Sequence, residues 1–207
     1  LSRLRQRLES LSVHEGANYA QNDALEQAID EADRLLGLFN GLLRIARIES
    51  ESINPSLQRL NLDQLTRDVV ELYEPLSEEK HQKLGVRTTT LPIVHADRDM
   101  LFQALANLLD NAVKYTPIGG IIDIHLLTRD GKAVFSICDS GPGIAPAERD
   151  KVFQRFYRSD ASRSSTGNGL GLSLVQAITH LHGAQITLRG NDPGLCIDLA
   201  FPAADSR

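Results

Sequence analysis

Residues 121–144 read IIDIHLLTRDGKAVFSICDSGPGI. Two apolar runs, 121–127 and 133–138, flank Arg129-Asp130-Gly131-Lys132, and an Asp-Gly pair between such runs signals a two-residue hairpin. The second run ends on Asp139-Ser140-Gly141-Pro142-Gly143-Ile144. Working outward, the periodicity predicts a helix over 62–80 with Asn61 as its cap, a strand over 84–91 and a helix over 99–115. Downstream it predicts a short helix over 146–156, a Ser/Arg-rich stretch, a helix from about Gly169, and two last strands parted by Asn191-Asp192-Pro193-Gly194. Strands that arrive as adjacent hairpins, not in strict βαβ alternation, predict an α+β domain. Its mixed sheet would carry helices over one face, in place of a doubly wound parallel sheet.

At 207 residues the chain has room for one large domain or two small ones. A composition of 42% hydrophobic and 24% charged residues excludes a disordered, collagen-like or disulfide-scaffold chain. A net charge of -5 argues against a nucleic-acid binder, which shows a basic excess. No apolar run approaches the ~18 residues of a membrane helix, and no signal peptide opens the chain. The single methionine is Met100 and the first residue is Leu1, so we expect a piece of a longer protein. Cys138 and Cys196 lack any CxxC spacing and are expected as two small buried apolar side chains in a reducing compartment.

The N-terminal part, 1–52, reads as a helical hairpin, leaving 53–207 for the α+β domain. Leu1, Leu4, Leu8 and Leu11 make one helical stripe; a polar stretch through Gly16 comes next, then Asp23 and Glu26 in the spacing of a capping box. Beyond them runs a heptad of Leu25, Ala32, Phe39 and Ala46, with Ala28, Leu35 and Leu42 beside it, widened by Ile29, Leu36 and Leu43. A stripe that wide needs a second surface. A second copy would give a homodimeric four-helix bundle; the rest of this chain is the alternative. The polar stretch from Glu49 to Pro55 reads as the linker.

Four polar or glycine-rich groups succeed one another in the α+β domain. Asn107, Asn111 and Lys114 stand at i, i+4 and i+7, so two carboxamides and an ammonium share a helix face. The face is either a solvated one or a site where amide oxygens meet Mg²⁺ and the lysine meets phosphate. Asp139 at a strand end, with Gly141 and Gly143 behind it, suits a carboxylate accepting from an exocyclic amine such as adenine N6, or else a plain turn. Phe153 to Arg158, then Ser159 to Thr166, read as a lid over a polyanion or as a surface loop. Gly167-Asn168-Gly169-Leu170-Gly171-Leu172 opens a helix whose first amides attract phosphate. Neither GxGxxG nor a P-loop occurs.

In this order the four groups resemble the N, G1, F and G2 boxes of the sensor histidine kinases of two-component systems. Their ATP-binding part has the Bergerat-type fold shared with DNA gyrase B, the Hsp90 chaperones and MutL. The resemblance implies ATP and Mg²⁺ as cofactors. Asn111, helped by Asn107, would hold the metal, Lys114 and Arg158 would face phosphate, and Tyr115 would flank the adenine. Asp139 would read adenine N6, with Gly141, Gly143, Ile144, Gly167, Gly169, Leu170, Gly171 and Leu172 lining the nucleotide. Asp110 takes the place of an acidic residue that helps to activate the acceptor. The hairpin resembles the family's dimerisation and histidine-phosphotransfer region. A homodimer, a response-regulator receiver domain as partner, and the cytoplasmic portion of a bacterial inner-membrane sensor are implied with it.

The family's acceptor histidine sits in an H box with the pattern His-Glu/Asp-Leu-Arg-Thr-Pro-Leu. Leu1-Ser2-Arg3-Leu4 resembles the stretch just downstream of that box, and His14, His81, His95, His125, His180 and His182 do not replace it. His180 and His182 end the last helix, where a cation suits the helix dipole. The expectation is an ATP-binding histidine kinase module whose acceptor lies upstream and which cannot phosphorylate itself alone. A clamp-type ATPase of the gyrase or chaperone kind, or a nucleotide-sensing dimerisation module without phosphotransfer, are the alternatives.

Overall fold

The computed structural model describes residues 19–50, 54–158 and 168–202. The Leu1 to Leu11 stripe, the turn around Gly16, linker residues 51–53, the 159–166 stretch and Gly167 lie outside the described residues. Two compact units share the chain, dividing between Ala46 and Arg47.

Helix α1 covers Tyr19–Glu49, all but its last three residues in the first unit. It begins four residues ahead of Asp23, so Asp23 and Glu26 fall inside the helix and not at its start. Ala20 and Gln21, both good helix formers, extend the helix back past them. Leu35, Phe39 and Leu43, at i, i+4 and i+8, are 43, 53 and 40% exposed. This is an open apolar stripe along one helical face.

The first strand of the second unit is an element that the sequence did not announce. Strand β1 (Gln58–Asn61) pairs antiparallel with β3 (Ile93–Ala96) as a separate two-stranded sheet. Each strand leads into a helix. Asn61 caps α2 (Leu62–Glu79), its Oδ1 accepting from the N–H of Asp63 and Gln64, as the sequence predicted. Asp97 caps α3 (Arg98–Tyr115) by accepting from Asp99 and Met100, and its other oxygen accepts from the Ser56 N–H. Burial alone would raise the Asp97 pKa, but the N–H groups of Met100, Ser56 and Asp99 hold it below the usual carboxylate value.

The main sheet has five strands in the order β2-β4-β5-β7-β6. They are β2 (Lys83–Thr88), β4 (Ile121–Arg129), β5 (Lys132–Asp139), β6 (Gln185–Gly190) and β7 (Leu195–Pro202). Only β2 and β4 run parallel; every other pairing is antiparallel, giving the mixed sheet that the adjacent hairpins predicted. Asp130 (φ 53) and Gly131 (φ 70) turn the β4–β5 hairpin with the two positive φ angles of a type I′ turn. Alternation then sorts the strands. Ile122, Ile124, Phe135, Ile137, Leu199 and Phe201 are buried on one face, and the alternate positions carry polar side chains, Asp123, His125 and Arg189 with Ser136 and Asp198, the last two also buried. Helices α2, α3 and α4 (Gly171–Leu181) all contact the sheet. Each fully buried Leu or Ile there contributes about 1.5–3 kcal/mol.

Four expectations need correction. The helix foreseen over 146–156 is two 3-10 turns, Pro146–Glu148 and Lys151–Phe153. Gln154 (φ -69, ψ 139) is extended and Phe156 (φ 64) left-handed, so no continuous helix can pass through them. The strand foreseen over 84–91 ends at Thr88. Cys138 and Cys196, expected as free thiols, are joined in a disulfide, because the β5–β7 register places them directly opposite one another. His182, expected as a cation at a helix end, is instead buried, with Nε2 accepting the Asp97 N–H at 3.0 Å and Nδ1 against the Ile178 carbonyl at 2.7 Å. A backbone N–H can only donate, so that Nε2 is bare and the proton sits on Nδ1.

Candidate nucleotide site

Three segments far apart in sequence meet at one end of the domain: the C-terminal half of α3, the turn after β5, and the entry to α4. Two glycines permit the approach. A Cβ on Gly171 would lie 3.2 Å from Asn107 Oδ1 and 3.7 Å from Asn111 Nδ2, so the first residue of α4 rests on the polar face of α3. A Cβ on Gly141 would lie 2.8 Å from both the Tyr115 carbonyl oxygen and Asp139 Oδ1, so the Asp139 turn is packed against the end of α3. The Gly141 contact leaves room for a hydrogen but none for a methyl, and at Gly171 a methyl would push the Asn107 amide aside by a few tenths of an ångström.

Within α3, Asn107 Nδ2 donates to the Gln103 carbonyl at 2.9 Å, which orients the amide and leaves Oδ1 toward Gly171. One turn on from Asn111, the Lys114 ammonium lies 5.0 Å from the centre of the Tyr115 ring. Side chains from the loop after α2 hold this helix end. Lys80 Nζ donates to the carbonyls of Val113 and Lys114, and Gln82 Nε2 to those of Val113 and Thr116. A cation on the last carbonyls also complements the helix dipole. Asp110 is exposed and lies on the side of α3 that meets α2, where its charge, after burial, raises the Tyr73 pKa. The Asn107 amide turns back along its own helix to Gln103 and not toward Asp110.

Asp139 is the most constrained of the candidates. Oδ1 accepts from the Gly141 N–H at 2.7 Å, and the carboxylate also accepts from the Leu195 N–H. Burial is the largest influence and pushes its pKa above the usual carboxylate value despite those two donors. Its backbone is held by a segment that sequence reasoning treated only as a connector. Asn191 Nδ2 donates to the Asp139 carbonyl at 2.8 Å, and Gly194 packs on the same carbonyl so closely that a Cβ there would overlap it. Gly143 (φ 70) in turn faces the Gly194 carbonyl. The Asn-x-x-Gly spacing of the turn was visible in the sequence; its contacts were not.

Of the remaining candidates, Ile144 and Arg158 are half-buried. Gly169 (φ 66) abuts Phe156, whose N–H donates to the Gly169 carbonyl at 2.9 Å, pinning the base of the segment between them. Leu170 is buried and precedes α4; Leu172 is its second residue. Gly167 lies outside the described residues.

The donor set decides what metal chemistry is possible. Among the described residues no three His, Cys, Asp or Glu side chains gather into a metal-holding group. Asn107 and Asn111 offer neutral amide oxygens only. That suits Mg²⁺ arriving with phosphate oxygens and water, and it does not suit capture of the bare ion. Calorimetric titration with MgCl₂ alone is expected to give no heat of binding up to millimolar concentration, and binding is expected once an adenine nucleotide is added. Tight binding of the ion alone would contradict this donor set.

Comparison with known proteins bears on the chain as a whole. Residues 96–205 match the family described as histidine kinase-, DNA gyrase B-, and HSP90-like ATPases. The chain is 34% identical over 163 residues to the sensor protein IrlS of Burkholderia pseudomallei, covering 78% of this chain and 35% of that protein. Among solved structures it resembles full-length ShkA in complex with AMPPNP (TM-score 0.81, 29% identity, 98% of this chain and 44% of that one). It also resembles the mycobacterial sensor histidine kinase MprB (TM-score 0.64, 31% identity, 71% of this chain and 97% of that one). The chain therefore spans about a third of the length of IrlS.

Proposed function

The chain belongs to the family of histidine kinase-, DNA gyrase B-, and HSP90-like ATPases and carries the catalytic domain of a sensor histidine kinase, and from that premise we propose that it binds Mg-ATP and passes the γ-phosphoryl to a histidine upstream of Leu1. The phosphoryl then moves to an aspartate on a response-regulator receiver domain. The observation that carries this reading is the seating of Gly171 on the Asn107–Asn111 face of α3. It sets the first amides of a helix against the Asn107 carboxamide oxygen and the Asn111 side chain, so that phosphate-binding amides and a neutral metal donor share one place.

Each residue then has a part. Asp139 accepts the exocyclic N–H of adenine, and Tyr115 flanks the ring. Asn111, with Asn107, holds Mg²⁺, which neutralises phosphate charge when bound. Lys114, Arg158 and the amides at Gly169 to Leu172 bind the phosphate oxygens, so the γ-phosphorus is aligned for in-line attack. Asp110, exposed on the side of α3 that meets α2, assists an incoming imidazole. The open stripe of Leu35, Phe39 and Leu43 is covered by a second copy, making the homodimer in which the acceptor is presented. The domain works on the cytoplasmic side of a bacterial inner-membrane sensor.

The test is to incubate the chain with γ-labelled ATP and a helical segment bearing a His-Glu-Leu-Arg-Thr-Pro box. Acid-labile, base-stable label on that segment is the expected result, and Asn111→Ala is expected to lose it. Transfer at the wild-type rate by Asn111→Ala would remove the metal assignment. Nucleotide binding without any label would replace the kinase with a nucleotide-sensing module.

A further inference from the structure

Cys138 and Cys196 flank the hydrogen bond that orients the Asp139 carboxylate. Cys138 precedes Asp139, which accepts the N–H of Leu195, and Leu195 precedes Cys196. The two cysteines are direct partners in the β5–β7 register and are joined across 58 residues of sequence, with their Cα atoms 4.1 Å apart. They also differ in access: Cys196 is buried at 1% exposure and Cys138 is half-buried. Arg189 Nη2 lies 3.7 Å from Cys138 Sγ, placing a guanidinium beside the sulfur that solvent reaches first. Thiol–disulfide exchange runs through the thiolate, and Arg189, held in place by its pair with Asp198, sets an N–H donor beside that sulfur. In a cytosolic setting a protein disulfide is as a rule transient or redox-sensing, not a permanent staple.

We propose that Cys138 and Cys196 form a reversible oxidation site, taking a low-molecular-weight disulfide as co-reactant, whose closed form strengthens nucleotide binding through Asp139. The proposal rests on the nucleotide-binding function proposed for this site. In the forward step the Cys138 thiolate attacks one sulfur of the co-reactant, breaking its S–S bond and releasing one small thiolate. Cys196, losing its proton to solvent, then attacks the Cys138 sulfur. The protein S–S bond forms and the second small thiol leaves. Two protein thiols have lost two electrons and the co-reactant disulfide has gained both. Closure fixes the ends of β5 and β7 on either side of the Asp139–Leu195 hydrogen bond. A carboxylate held in its binding position before nucleotide arrives loses less freedom on binding.

The whole chain is equilibrated under argon in glutathione buffers from fully reduced to fully oxidised. At each poise its thiols are counted with a chromogenic reagent, and a non-hydrolysable ATP analogue is titrated with Mg²⁺ present. We expect two thiols falling reversibly to none, and about three- to tenfold tighter binding in the oxidised form. The Cys138→Ala/Cys196→Ala variant, checked for a cooperative melt, is expected to bind equally in all buffers; the wild-type comparison stands without it. A thiol count that stays at two, or a disulfide that resists every reducing poise, overturns the site. Reversible pairing with unchanged affinity overturns its link to Asp139 alone. No nucleotide binding at any poise overturns the nucleotide reading and this regulation with it, while the thiol count still reports whether the pair is a redox couple.

Discussion

Asp139→Asn is expected to weaken binding of a non-hydrolysable ATP analogue about a hundredfold by calorimetry. A hydrogen bond to an ionised acceptor contributes about 1.5–3 kcal/mol, and 2.7 kcal/mol is roughly a hundredfold in Kd. The amide also brings a second penalty. Two backbone donors, from Gly141 and Leu195, already point at the carboxylate, and in asparagine a single oxygen is left to accept from them and from the nucleotide. Affinity within threefold of wild type would remove Asp139 from the adenine site. The pH dependence carries the same signature. Because burial raises the Asp139 pKa in the folded protein, its contribution to stability is fully present below the unfolded value. That contribution is lost as pH rises through the folded value. At neutral pH the ionised carboxylate is therefore a net destabilising group, held in place for binding. Affinity should begin to fall, on acidification, above the pH at which an ordinary aspartate protonates, and Asp139→Asn should flatten that profile.

Gly194→Ala is expected to be the most damaging single methyl in the domain. At φ 118 an L side chain is strained wherever it points, and here the Cβ would overlap the Asp139 carbonyl, a backbone atom that cannot rotate away. A loss of at least about 3 kcal/mol is expected, or roughly 6–12 °C in Tm for a domain of this size. Gly119→Ala is the control. It shares a positive φ of 76 but meets no atom within 4 Å, so only the conformational penalty of about 1 kcal/mol applies. Equal melting temperatures for the two variants would show that the β6–β7 turn does not support the Asp139 segment.

The sequence made some elements of this fold plain and concealed others for identifiable reasons. The β4–β5 hairpin was legible because its alternation and its Asp-Gly turn are both local. The same holds for α2, whose Asn61 cap lies next to the helix it starts. The β1–β3 sheet was concealed because each strand is four residues long and exists only through a partner more than thirty positions away. The Cys138–Cys196 bond was concealed for the same kind of reason: opposition is a property of register, which a spacing of 58 does not reveal. The 146–156 segment has helical composition, but Gln154 and Phe156 take backbone angles that break it. At the site, the candidates on α3 and after β5 could be named from chemistry alone. The role of Asn191 and Gly194 could not, since a turn's sequence says how the chain reverses and not what it leans on.

The type I′ turn at Asp130-Gly131 closes the β4–β5 hairpin at the end opposite Asp139. The eight residues of β5, the last of them Asp139, span roughly 23 Å of strand. Nothing lies within 4 Å of where a Gly131 side chain would project. A donor fluorophore tethered there would sit near half the transfer distance of common dye pairs from an acceptor-labelled nucleotide. The turn is thus a ready attachment point for an optical sensor of nucleotide occupancy.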